Sequence, residues 1–186
     1  MRVARNSRRR LDCAQALSRC ATSATQRADW VDDIGEDGPV VGDLSRDELV
    51  RGLVRVGELE LTGEDQAEVD AYFAPDFKFH GPDGRELDYE GLQSYFAALR
   101  AAFDDRTINR GIVIVEGQYV ACQTTITGIF VREFTQSPVG PLPPNGQRVT
   151  FELTNIFRYD DEGRLAEEWI QTDSRSVLRQ LGAEGR

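Results

Sequence analysis

The chain is poor in the side chains that most often carry metal, redox or nucleophilic chemistry. Its 186 residues include one His, three Cys and one Met. Three scattered Cys make no disulfide framework, and no second Cys pair or His cluster completes a metal site. Cys13 and Cys20 fall in the N-terminal segment, and Cys122 reads as a small core residue in an apolar strand. No apolar run approaches the ~18–20 residues of a membrane span. The N-terminus has no apolar core of a secretory signal; it is Arg- and Ser-bearing and reads as a basic tail. No Gly-rich phosphate loop and no Ser/His/Asp order stands out. These absences predict a cytoplasmic chain with no metal and no membrane partner.

Charge is abundant but one-sided. The formal net charge is −10, which argues against nucleic acid as a partner. Residues 1–28 hold seven Arg against one Asp, whereas the remainder holds 15 basic and 31 acidic residues. A basic N-terminal extension with an acidic linker is expected over residues 1–43, and a folded domain over 44–186. Ala14 to Ala24 could form a frayed helix within the extension.

The first strong element begins at Ser45. Ser45-Arg46-Asp47-Glu48 fits a capping box, with Leu44 and Leu49 placed as a hydrophobic staple. Leu49, Leu53 and Val56 follow at helical spacing, and Gly57 offers an end. A second helix is expected from Thr62 to Phe73, stopped by Pro75. Phe77 to His80 reads as a short strand, followed by turn chemistry in Gly81-Pro82-Asp83-Gly84. A third helix is expected from Asp88 to Phe103. Strands then dominate: Ile108 to Val115, Tyr119 to Phe134, Val149 to Tyr159 and Arg164 to Asp173. Four of the seven Pro lie in residues 135–146, a candidate lid. A last helix runs from Ser174 to Leu181. Helices first and a meander after them imply α+β rather than a parallel βαβ sheet. A strongly bent antiparallel sheet would wrap the helices into a cone with a pocket at its open end.

The closing strand suggests a site. On a strand, residues two apart share a face, so Trp169, Gln171 and Asp173 would line one wall. A carboxylate beside an apolar ring can be held near neutral pKa as a general acid or base. The competing reading is an edge Trp and an Asp that caps the next helix. His80, the only His, could border the pocket mouth or sit on the surface. Gln123, Thr125 and Thr127 form a polar stripe that could bind a carbonyl or face solvent. Asn155 interrupts the apolar face of Phe151, Leu153 and Phe157, so burial would demand a partner or a ligand for it. Tyr72 and Tyr95 sit on apolar helical stripes, as core residues or as hydroxyl donors. Thr150, Glu152, Thr154 and Arg158 are candidates for an outer, dimer-forming face.

From about residue 62 to 183 the chain resembles the SnoaL-like polyketide cyclases, of the nuclear-transport-factor-two-like superfamily. The resemblance rests on Tyr72 to His80, on Gly91 to Phe96 with Leu99 to Phe103, and on the Val115 to Ala121 hairpin. It continues through Pro144 to Phe151 and the closing Glu168-Trp169 … Asp173 … Leu178 … Gln180-Leu181-Gly182. Where many members have a His shortly after the second-strand Gly, this chain has Ile129 and Phe130 after Gly128. Their Val-Ala-x-Arg ends here in Gln123. The resemblance implies a cystatin-like α+β barrel with a small-molecule pocket. It implies ring closure or related acid/base chemistry without metal or organic cofactor, and an Asp acid/base at the position of Asp173; His80, read from its own position, is the second candidate. Trp169, Gln171, Gln123, Thr125, Asn155, Tyr72 and Tyr95 would then contact a small apolar, carbonyl-bearing ligand. It also implies a homodimer. A binding or assembly domain without catalysis fits the same residues.

Overall fold

Ser45 starts the helical part of the fold as the pattern predicts. In the computed structural model, which describes residues 39–183, Ser45 accepts from the Glu48 amide. The Glu48 carboxylate accepts from the Ser45 amide at 2.9 Å, closing the capping box. Helix α1 (Arg46–Thr62) follows. Its buried Leu49, Leu53 and Val56 face the sheet and stabilise the fold by roughly 1.5–3 kcal/mol each. Replacing Ser45 by Ala is expected to lower unfolding free energy by about 1 kcal/mol in a urea melt. An unchanged midpoint would mean that the cap carries no stability.

α1 does not stop at Gly57. It runs on to a left-handed cap at Gly63, whose amide donates to the Leu59 carbonyl at 2.7 Å. The last turn of α1 has no basic residue of its own. Arg100 and Arg106 reach in from elsewhere to donate to the Glu60 and Leu61 carbonyls, satisfying groups the helix end leaves open.

α2 (Gln66–Tyr72) is capped by Asp65 rather than started at Thr62, and Phe73 already belongs to strand β3 (Phe73–His80). Before α1, β1 (Pro39–Val41) and β2 (Leu44–Ser45) form a small hairpin, and Val41 is buried. Strand structure thus reaches into the segment expected as linker. The candidate helix at 14–24 and the two N-terminal Cys lie outside the described residues.

The remaining elements are β4 (Glu86–Leu87), α3 (Tyr89–Ala102), β5 (Phe103–Glu116), β6 (Tyr119–Phe130), β7 (Arg148–Tyr159), β8 (Leu165–Thr172) and α4 (Ser174–Gln180). Six strands form one sheet in the order β4-β3-β8-β7-β6-β5. The β5-to-β8 meander is antiparallel as expected, but β3 joins β8 in parallel. The fold is the predicted α+β cone, with an open sheet rather than a closed barrel. α1 lies against β5, and α3 against β3 and β5.

The Pro-rich segment is tied together across its base. Phe134 and Leu142 exchange backbone hydrogen bonds of 3.0 Å, and both side chains are buried.

Candidate functional site

A cavity of about 220 Å³ lies between the helices and the concave face of the sheet. Most of its lining is aliphatic and aromatic. Gly81, Asp83 and Arg85 from the β3–β4 turn and Gln136 from the Pro-rich segment also line it. Its interior polar side chains come from five elements: Glu60 on α1, Arg110 on β5, Thr124 and Asn155 on β6 and β7, and Glu168 on β8.

The sheet places four of these by register. Arg110 pairs across β5–β6 with Thr124, and Phe157 pairs across β7–β8 with Glu168, so each pair shares a face. Arg110 donates from Nη1 to Thr124 Oγ1 at 2.6 Å. Thr124 donates to Asn155 Oδ1 at 2.7 Å, and Asn155 Nδ2 donates to Glu168 Oε1 at 2.7 Å. A cation and a carboxylate are thereby linked through two neutral, buried side chains. Such a chain polarises in one direction, because every donor points toward the carboxylate.

Glu60 stands on the helical wall, 6% exposed, with Gln93 Nε2 as a partner at 3.3 Å. Burial, reinforced by the nearby Glu168 charge, pushes its carboxyl up to about 8. Burial also raises the Glu168 carboxyl, but Arg110 and the Asn155 hydrogen bond oppose that rise. Both carboxyl groups are thus pushed toward the neutral form, Glu168 against the opposing pull of Arg110 and Asn155. Tyr95 also lines the cavity, its hydroxyl pushed up to about 12 by burial.

Of the residues singled out in the sequence, Asn155 and Tyr95 line this cavity. Trp169 and Gln171 do not; they pair with Ile156 and Thr154 on the opposite face of the sheet. The wall expected from Trp169, Gln171 and Asp173 is instead built by Glu168, Ile170 and Thr172. Asp173 is exposed and caps α4, accepting from the Ser176 amide at 3.0 Å. His80 stacks on Trp169 at 5.1 Å between ring centroids and meets Glu167 Oε1 at 3.0 Å, outside the lining. Gln123 and Thr125 pair with Thr154 and Glu152 away from the cavity. Tyr72 lies outside the lining too, its hydroxyl 2.5 Å from that of Tyr159. Neither the role that the resemblance implies for Asp173 nor the one read for His80 from its place beside a turn is carried by the cavity geometry.

Sequence reasoning missed Glu60, Arg110 and Glu168. Two signals were present. Glu60 continues the Leu53, Val56 stripe once α1 is carried past Gly57, and Arg110 alternates with Ile108 on β5.

No group of His, Cys, Asp and Glu among the described residues could hold a metal ion, and none of the described helices is long and apolar enough to cross a membrane. The sequence profile of the SnoaL-like polyketide cyclases matches residues 58–181, about two thirds of the chain. The chain belongs to that family. No curated protein sequence matches it. Among solved structures it is similar to IdmH of Streptomyces antibioticus, described as a candidate polyketide cyclase. The two are 27% identical over 73% of this chain and 97% of that one, with a TM-score of 0.59. TsrD of Streptomyces laurentii is 25% identical over 75% and 98% of the two chains, with a TM-score of 0.62. AclR of Streptomyces galilaeus, described as a candidate hydroxylase, shares the fold at 23% identity over 73% and 96%, with a TM-score of 0.61. Neighbours with such different descriptions leave the reaction to be argued from the cavity.

Proposed function

We propose that this chain binds a compact, largely apolar ketone in the cavity and moves a proton beside its carbonyl, with Glu168 as the general base. The observation that carries this reading is the pair of carboxyl groups, Glu60 and Glu168, on different walls of an apolar cavity and in unequal environments. In this reading Glu168, its carboxylate supported by the Arg110 charge and the Asn155 hydrogen bond against the effect of burial, takes the proton from the carbon next to the carbonyl. The C–H pair becomes the new C=C bond and the carbonyl pair moves onto oxygen. Negative charge passes from Glu168 to the ligand, so the cavity's total charge is unchanged. Glu60, held protonated by burial, gives its proton to the enolate; Glu168 then releases a proton to solvent and Glu60 regains one from it, which resets the pair. Cyclisation, isomerisation and hydration all begin from such a step.

A direct test uses 2-tetralone, an apolar bicyclic ketone, in D2O. The protein is expected to accelerate exchange of its α-protons, followed by proton NMR. Saturable binding without acceleration would favour a ligand-binding domain over an enzyme. The acid/base role implied for Asp173 by the resemblance is a competing assignment, and the same assay separates the two.

We infer further that the protein pairs through the outer face of its sheet. Ile114, Ala121, Ile156, Trp169 and His80 follow one another across five strands. Ile114 is 57% exposed and Ile156 44%, and exposed aliphatics on a sheet face favour association. Light scattering at micromolar concentration is expected to give a dimer, and Ile156→Asp a monomer. A monomeric wild type would reject this assembly.

A further inference from the structure

We infer that Arg110, seated in the notch left by Gly57, is the cavity's oxyanion-binding group. The inference rests on the proton-transfer reading above and supplies what that reading lacks, a group to receive charge on the ligand oxygen.

Arg110 is well packed but short of counter-charge. Its guanidinium carbon sits 5.4 Å from the centre of the Phe157 ring. Nη1 donates to Thr124 Oγ1, with Cys122 Sγ at 3.9 Å, and both of those partners are neutral. Among the described residues no carboxylate lies within 4 Å of it as an ion pair. Its Nε is buried without any hydrogen-bond partner. A cation enclosed this way is costly unless a partner arrives. Glu60 and Glu168 feel its charge but neither forms an ion pair with it: Glu60 is held by Gln93, and Glu168 is hydrogen-bonded to it only through Asn155 and Thr124. A ligand oxygen that gains negative charge as Glu168 takes a proton would complete the set. Pre-placed donors aimed at developing charge usually supply more of the rate enhancement than any other single effect.

Gly57 makes the seat. It stands in the interior of the 17-residue helix α1, where Gly costs about 1 kcal/mol relative to Ala. A Cβ there would lie 2.9 Å from Arg110 Nη2 and 3.1 Å from Ile108 Cδ1. The nearer of those atoms is the free end of a flexible side chain. An added methyl would therefore displace the guanidinium without breaking the helix. Gly57 is a positioning residue, and Arg110 is the group that touches the ligand.

The probe is 2-naphthol, a planar analogue of the 2-tetralone enol. Its ionised and neutral forms are told apart by absorbance. Wild-type protein is expected to raise the naphtholate-to-naphthol ratio of the bound probe about tenfold over free probe at the same pH, the size of one charge-assisted hydrogen bond. Arg110→Met should bind the probe but lose that enrichment, and Arg110→Lys should keep part of it. Gly57→Ala should stay folded, its gain in helix propensity offsetting part of the cost of displacing the guanidinium, yet move the ratio toward that of Arg110→Met. An unchanged ratio in Arg110→Met would overturn the oxyanion assignment. Should Arg110→Met not fold, an unchanged ratio in Arg110→Lys, which retains the charge but lacks the fork, would overturn it. Loss in Arg110→Met with no change in Gly57→Ala would overturn the seat alone. Failure of wild-type protein to bind 2-naphthol, with no exchange of 2-tetralone, would instead overturn the reading of the cavity itself.

Discussion

Glu168→Gln is expected to abolish acceleration of 2-tetralone exchange while leaving the protein folded. A positioned general base contributes ~10²–10⁴ in rate, and Gln cannot take the proton. Its amide oxygen still accepts from Asn155 Nδ2, so the buried chain from Arg110 stays intact. Losing the chain would cost stability; keeping it isolates the chemistry. Asp173→Asn supplies the contrast. Asp173 works as the cap of α4, and Asn caps nearly as well, so this variant should fold and exchange like wild type. The opposite pattern, with Asp173→Asn folded but inactive and Glu168→Gln active, would return the base role to Asp173.

Glu60 is expected to govern how both activity and stability respond to pH. With its carboxyl near 8, it is a proton donor at neutral pH and ceases to be one above that. Exchange should therefore fall as pH rises through about 8, and Glu60→Gln should remove the dependence on that ionisation. The stability sign follows from the same shift. The folded-state value is raised above the ordinary 4.5, so the folded state binds more protons than the unfolded one between 4.5 and about 8. Stability contributed by this group is full below 4.5 and is lost as pH rises through about 8. The loss is on the order of a few kcal/mol. Urea melts at pH 6 and pH 9 should show wild type losing more stability than Glu60→Gln over that interval. Parallel losses would mean that Glu60 ionises like an exposed carboxylate.

Much of the fold was legible because local signals agreed with tertiary packing. The capping box at Ser45, the Asp88-led third helix and the Gly81–Gly84 turn all stand where the residues placed them. The end of α1 was misread at Gly57, because a helix-interior Gly and a terminal Gly look alike in sequence. The distinction lies in three dimensions: Gly57 faces Arg110, whereas Gly63 adopts φ 79°.

The site was misread for one compact reason. The Asp160–Gly163 turn sets Tyr159 opposite Leu165. Carried on without interruption, that register would put Trp169 opposite Asn155 and so inside the cavity. The pairing instead shifts between Tyr159 and Arg158, and Arg158 faces Glu167. Ala166 is the extra residue, and Leu165 and Ala166 are consecutively buried. A bulge of one residue turns every later side chain to the other face. Trp169, Gln171 and Asp173 thereby left the cavity, and Glu168 entered it. Two adjacent small or aliphatic residues at a strand start were the sequence trace of that shift, but nothing local distinguishes them from an ordinary strand.

The central claim is that the site is the concave cavity holding Glu60, Arg110 and Glu168, and not the outer face around Trp169 and His80. A crystal structure of the protein with 2-naphthol bound tests this most directly. The naphthol rings are expected between α1 and the sheet, with the oxygen within hydrogen-bond distance of the Arg110 guanidinium. Probe density stacked on Trp169 and His80, with the cavity lacking it, would place the site on the outer face instead.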